Sequence, residues 1–189
     1  MSHPFATVFS LLLVLGSTSR AAEKERQSNF ARQTIDMGIV VTDIEKSLKF
    51  YKEVIGFSEV EGFKVGGKFP KSVGLTDGTP LTIHVLTLGD EEQATKLKLM
   101  QIESQKPARL INQPHIHTIV GLSYVTIFVN DVDVVMNRAK KLGYKPYGKS
   151  PQILPEGLPQ DVCLLMLKDP DGNFVEIVGP LATRLKIKK

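Results

Sequence analysis

Leu167-Lys168-Asp169-Pro170-Asp171-Gly172-Asn173-Phe174-Val175-Glu176-Ile177-Val178 decides the fold. Its centre is a tight turn: Pro170 pre-sets φ, Asp171 can bond its own backbone, and Gly172 supplies positive φ. The apolar run Val162–Leu167 precedes the turn and Asn173–Val178 follows it, which predicts a hairpin. In the second strand Val175 and Ile177 fall on one face, Phe174, Glu176 and Val178 on the other. Glu176 is then a lone carboxylate on an apolar strand. Unless its face is solvated, it needs a cation, a hydrogen-bond network or a metal.

The same grammar recurs upstream. Thr34–Val41 predicts a strand. Thr42-Asp43-Ile44-Glu45 has the spacing of a capping box, and the helix after it puts Ile44, Leu48, Tyr51 and Val54 near one face before Gly56 ends it. Residues 57–65 predict a strand, 66–80 a Gly- and Pro-rich loop, and 81–88 a strand carrying His84. Lys96–Ser104 alternates polar and apolar residues, as a half-buried strand does. Gln105–Gly121 lacks periodicity, holds His115 and His117, and reads as a linker. Then Leu122–Val129 predicts a strand. Asn130-Asp131-Val132-Asp133 can cap a helix with Val132, Val135, Met136, Ala139 and Leu142 on its apolar face. Tyr144–Lys149 is a weak strand candidate and Pro151–Gln160 a loop, and the hairpin closes the order.

The two halves match. Val41-Thr42-Asp43-Ile44-Glu45 aligns with Val129-Asn130-Asp131-Val132-Asp133, each between an apolar strand and a glycine-closed helix. In that register Asp36 matches Tyr124. Met100-Gln101-Ile102 is aligned with Val175-Glu176-Ile177 on its apolar-polar-apolar pattern. Asp36, Gln101, Tyr124 and Glu176 thus take equivalent positions, and a pseudo-two-fold axis would let them converge.

With these motifs, chiefly 41–51, Gly56-Phe57, Lys168–Asn173 and Glu176, the chain resembles the vicinal oxygen chelate superfamily of glyoxalase I, bleomycin-resistance proteins and extradiol dioxygenases over about residues 34–180. The resemblance implies an α+β fold: two tandem βαβββ modules forming a cupped, incompletely closed mixed β-barrel with helices outside. It divides the chain into a signal peptide (1–21), a linker (22–33), a first module (34–104), an inter-module linker (105–121), a second module (122–180) and a basic tail (181–189).

The resemblance also implies a divalent metal held by Asp36, Gln101, Tyr124 and Glu176. An all-oxygen set without imidazole favours Mg²⁺ or Mn²⁺ over Zn²⁺; a polar cluster with no metal is the other reading. With a metal, the expectation is a lyase or isomerase of the lactoylglutathione-lyase kind acting on a small oxygen-rich substrate. Glu176 would then be a ligand or base, and His84 an acid or base if its face lines the cleft. Without one, it is a small-ligand-binding protein of the bleomycin-resistance type. Redox iron on a two-His-one-carboxylate triad is disfavoured, because no aligned position is His. His115 and His117 read as a surface pair.

Composition narrows the partners. The 189 residues carry a net charge of +4 and no Trp. No basic stripe with interleaved aromatics is present, so nucleic acid is not an expected partner. The single Cys163 excludes an internal disulfide and reads as a small core residue. Phe5–Leu15 is apolar but too short to span a membrane, and Ser19 and Ala21 suit a signal-peptidase site, although residues 1–4 hold no Lys or Arg. The expectation is export to the periplasm or outside, with no stable membrane insertion after signal removal, as a monomer or homodimer. An exported protein meets little reduced glutathione, which argues against a glutathione thioester substrate.

Overall fold

The computed structural model describes residues 31–89, 93–102, 110 and 112–181. The expected signal peptide, most of the linker after it and nearly all of the basic tail lie outside the described residues. The chain divides into Met1–Ile35 and Asp36–Lys189. Residues 31–35 of the first unit form no helix or strand, and all that follows concerns the second.

That unit is two βαβββ modules, each with one four-stranded mixed sheet and no closed barrel between them. The first module runs β1 (Met37–Val40), α1 (Ile44–Lys49), a π-helical continuation (Phe50–Ile55), β2 (Ser58–Val65), α2 (Phe69–Ser72), β3 (Leu81–Thr87) and β4 (Lys96–Gln101). The second runs β5 (Tyr124–Phe128), α3 (Val132–Lys141), β6 (Gln152–Ile153), β7 (Val162–Lys168) and β8 (Phe174–Pro180). The sheets are ordered β1-β4-β3-β2 and β5-β8-β7-β6. In each, the first strand lies parallel to the last and the other pairs are antiparallel.

Local differences from the expectation have local causes. Thr42 is not the helix cap. Asp43 is, accepting from the Lys46 amide at 3.1 Å, because Thr42 is drawn to Asp171 of the other module. Asp131 caps α3 by accepting from the Asp133 amide. Residues 144–149 form no strand; the short edge strand is β6, inside the expected loop, paired with Leu164 and Cys163. The 66–80 loop folds a single helical turn, with Pro70 buried.

One core serves both modules. Leu97 and Leu99 from β4, and Val175 and Ile177 from β8, point the same way as Leu165, Leu167 and Leu86, under Phe50, Tyr51, Val54, Val132 and Val135. Phe50 and Tyr144 meet edge to face at 4.9 Å across the modules. Cys163 is buried, as a small hydrophobe in that strand should be. The alternation of each strand leaves its other set of side chains on the helix-free, concave face.

Candidate functional site

The turn at 169–173 joins the modules rather than carrying chemistry. The Asp169 amide donates to the Asn173 carbonyl, the Gly172 amide donates back to Asp169, and Gly172 sits at φ 86°. The carboxylate of Asp169 accepts from the Asp171 and Asn173 amides, the Asn173 side chain and the Tyr51 hydroxyl, the last at 2.9 Å. Asp169 is 4 % exposed. Burial raises its pKa above the ordinary carboxylate value, partly opposed by these donors, with Asp171 adding to the rise. Burial and the Asp169 carboxylate push the Tyr51 phenol well above its ordinary value. Beside it Asp171 accepts from both the amide and hydroxyl of Thr42. Both aspartates therefore clamp the first module's helix to the second module's hairpin.

The concave face is organised by the duplication, and the hydrogen-bond register fixes which residues are equivalent. The Val41 amide donates to the Met100 carbonyl at 2.9 Å, and the Val129 amide donates to the Val178 carbonyl at 2.9 Å. Val41 matches Val129, so Met100 matches Val178, and two residues earlier Lys98 matches Glu176. The strand ladders agree: Gly38 pairs with Lys98 as Thr126 pairs with Glu176. The alignment of Gln101 with Glu176 was three residues out of step. Leu97-Lys98-Leu99 has the same apolar-polar-apolar pattern as Met100-Gln101-Ile102, and pairing selects the first.

Gln101 shares the face of Leu97 and Leu99, where its Oε1 accepts from the Ile44 amide at 2.8 Å and satisfies the start of α1. Lys98 is not merely exposed: its Nζ lies 2.9 Å from Asp36, with the lysine side chain 32 % and the aspartate 16 % accessible. Glu176, half-buried, accepts from Thr126 Oγ1 at 2.7 Å. Tyr124 is 43 % exposed, and Phe128 on the same strand 77 %. A cavity of about 270 Å³ lies between the first strands of the two modules, bounded by Gly38–Val40, residues 122–125 and Asn173. His84 pairs with Leu99 and points to the helix side, away from the concave face, so the condition for its role in the cleft is not met.

The four expected ligands are thus not gathered. Asp36 is engaged by Lys98, Gln101 caps a helix on the opposite face, and Glu176 bonds a threonine. Among the described residues no group of three or more His, Cys, Asp or Glu side chains is disposed to hold a metal ion. An ammonium stands where the second module places its carboxylate. Such a donor set does not fit a divalent metal, because the fixed positive charge repels the ion and occupies the neighbouring aspartate. His115 and His117 are exposed and stack at 5.4 Å.

The fold and this face define a two-module α+β protein with a cupped, concave sheet surface. Residues 33–177 match the model of the Glyoxalase/Bleomycin resistance protein/Dioxygenase superfamily, and the chain belongs to that superfamily. Among solved structures it is similar to a glyoxalase family protein from Bacillus cereus, with 18 % identity over 81 % of this chain and 96 % of that one, TM-score 0.62. It is also similar to the trypanothione-dependent glyoxalase I of Leishmania major, with 20 % identity over 84 % and 94 %, TM-score 0.53. A variant glyoxalase I from Zea mays aligns with 17 % identity over 85 % of this chain and 49 % of that one, TM-score 0.60. At such identities the likeness establishes the fold. No curated protein sequence matches the chain.

Proposed function

We propose that this chain is a metal-independent member of its superfamily that binds a small organic ligand on the concave face, in the manner of the bleomycin-resistance type. The observation that carries the reading is the Asp36–Lys98 pair at the position equivalent to Glu176. A lyase or isomerase of this architecture needs a divalent ion to hold two substrate oxygens and stabilise an enolate. Here the fixed cation is a lysine, which donates hydrogen bonds but cannot chelate. Exposed Val40, Tyr124 and Phe128 supply apolar surface near the cavity, and Thr126–Glu176 and Lys98 supply polar groups. The ligand class this combination favours is a small molecule with a flat or apolar body and polar substituents.

The test uses the protein purified without chelator. Metal analysis should find less than stoichiometric Mn²⁺, Mg²⁺ or Zn²⁺, and added Mn²⁺ should leave the melting temperature unchanged. Because the chain has no Trp and four Tyr, tyrosine fluorescence can report a screen of aromatic amphiphiles, and Tyr124→Ala should abolish the response. A stoichiometric metal, or a Mn²⁺-dependent rise in melting temperature, would defeat the reading in favour of Mg²⁺- or Mn²⁺-dependent lyase or isomerase chemistry. The proposed function includes export, motivated by the apolar run at 5–15 and the Ser19/Ala21 spacing. Intact mass of protein from a secreting host should begin at Ala22, and a retained Met1 in a soluble cytoplasmic fraction would contradict it.

A further inference from the structure

A second cavity, about 560 Å³, is not on the concave face. It lies on the helix side of the first sheet, between α1 with its π-helical continuation and strands β2 and β3, and His84 lines it. Glu59 on β2 pairs with Leu86, so it sits diagonally from His84 on the same face. One Glu59 carboxylate oxygen is 3.1 Å from His84 Nδ1, and the other accepts from Lys52 Nζ at 2.6 Å. Lys52, then His84, holds the Glu59 carboxyl below the ordinary carboxylate value, so it is an acceptor only. His84 must therefore carry its proton on Nδ1, and Nε2 is the nitrogen left to face a ligand.

Two backbone irregularities frame the groove. The β2–β3 register breaks between Val60 and Phe63, opposite His84. A Cβ at Gly62 would stand 2.3 Å from the Ile83 carbonyl oxygen, so only glycine allows that approach. Across the groove the Gly56 amide reaches back five residues to the Tyr51 carbonyl, a π-helical turn that carries Lys52. Bulges of both kinds concentrate at functional sites.

The charges in the groove are finely opposed. α1 contributes Glu45, Lys46 and Lys49, the π-helical segment Lys52 and Glu53, and β2 Glu59. Lys46 is held by Asp43 and Lys52 by Glu59, whereas Lys49 makes no ion pair among the described residues. Three lysines face three glutamates, so the protonation of His84 sets the sign of the groove.

We propose that this groove is a second binding site that takes a small dianionic oxyanion, a phosphate ester or dicarboxylate, seated between Lys49, Lys52 and the Nε2–H of His84. Glu59 orients the imidazole as a carboxylate orients a ligating or catalytic histidine, by accepting from Nδ1. Occupancy uses both ring nitrogens as donors, one to Glu59 and one to the anion, so affinity falls as pH rises.

The experiment is a titration of the whole ¹⁵N-labelled protein, following the imidazole nitrogens of His84, assigned with His84→Gln, together with the backbone amides of Lys49 and Lys52, which report anion binding in that variant as well. Sulfate, a dianion throughout, and succinate are the probes, with sodium chloride at matched ionic strength as control. At pH 6 one or both should shift the His84 signals saturably; sulfate alone points to phosphate esters, succinate alone to dicarboxylates. Sulfate affinity should fall at least about fivefold at pH 8, and Lys49→Ala should weaken it by about threefold or more at pH 6, the loss of one partly screened charge. His84→Gln should abolish the pH dependence while Tyr124 still reports ligand on the concave face. The proposal is overturned if neither anion moves the His84 signals at pH 6, if sodium chloride moves them equally, or if His84→Gln binds sulfate with unchanged pH dependence.

Discussion

The two modules share one topology and one strand register, yet place opposite charges at the matched position on the concave face. In the second module Glu176 faces Thr126; in the first, Lys98 faces Asp36 across the same ladder. A duplicated fold preserves backbone pairing because the core demands it, whereas Lys98 and Glu176 are partly accessible, are held by polar partners, and can change sign. Lys98 and Asp36 offset each other's charge in a partly buried place, while the Thr126–Glu176 bond joins a neutral hydroxyl to a carboxylate.

The strongest test asks whether the modules are joined as described. Asp169→Ala would strand the buried Tyr51 hydroxyl and remove the acceptor of the Asn173 amide and side chain. A loss of about 3 kcal/mol or more is expected in denaturant unfolding, with Tyr51→Phe costing about 1–2 kcal/mol. The pH dependence has a definite sign. The Asp169 pKa is raised in the folded state, so its contribution is full below the ordinary carboxylate value and declines as pH rises through the raised value. Asp169→Asn should remove that decline from the difference between variant and parent stability curves. An Asp169→Ala protein as stable as the parent would mean that the modules are held by the apolar core alone.

Next comes the charge difference itself. Lys98→Glu makes the first module resemble the second and leaves Asp36 facing a like charge. Without metal it should lose about 1–3 kcal/mol, the cost of stranding a partly buried charge. With Mn²⁺ at about a hundred times its dissociation constant it should regain about 2.7 kcal/mol, and Mn²⁺ resonance should show bound ion in the variant only. A variant blind to Mn²⁺ would show that Lys98 is not what separates this face from a metal site.

A smaller effect is expected at Gln101. Gln101→Ala removes the acceptor for the first amide of α1 and should cost about 0.5–1 kcal/mol, as a lost helix cap does, without altering ligand response at Tyr124. Glu176→Gln should be smallest, within about 0.5 kcal/mol, since a Gln oxygen can still accept from Thr126. A large loss there would make Glu176 part of the frame instead of a group kept for a ligand.

The sequence alone determined the two-module repeat, the 169–173 turn and the core face of β8. These follow from periodicity, from glycine and proline at turns, and from the pairing of Val175 with Ile177, all local in the chain. It also marked Glu176, a lone carboxylate on an apolar strand, and through the repeat Asp36 and Tyr124. But it took the wrong face of β4, where Leu97 and Leu99 and not Met100 and Ile102 enter the main core. Tertiary structure alone decided that Lys98 and not Gln101 is the partner of Glu176 in the repeat. Two apolar-polar-apolar triplets adjoin in Leu97–Ile102, and the hydrogen bonds from Val41 and Val129, with the strand ladders, choose between them. It likewise decided that Asp169 and Asp171 serve Tyr51 and Thr42, more than a hundred residues away, and that His84 looks toward the helices. Periodicity tells which residues share a face. Which face becomes a cavity, and which distant donor meets a carboxylate there, is set when the two modules pack on one core.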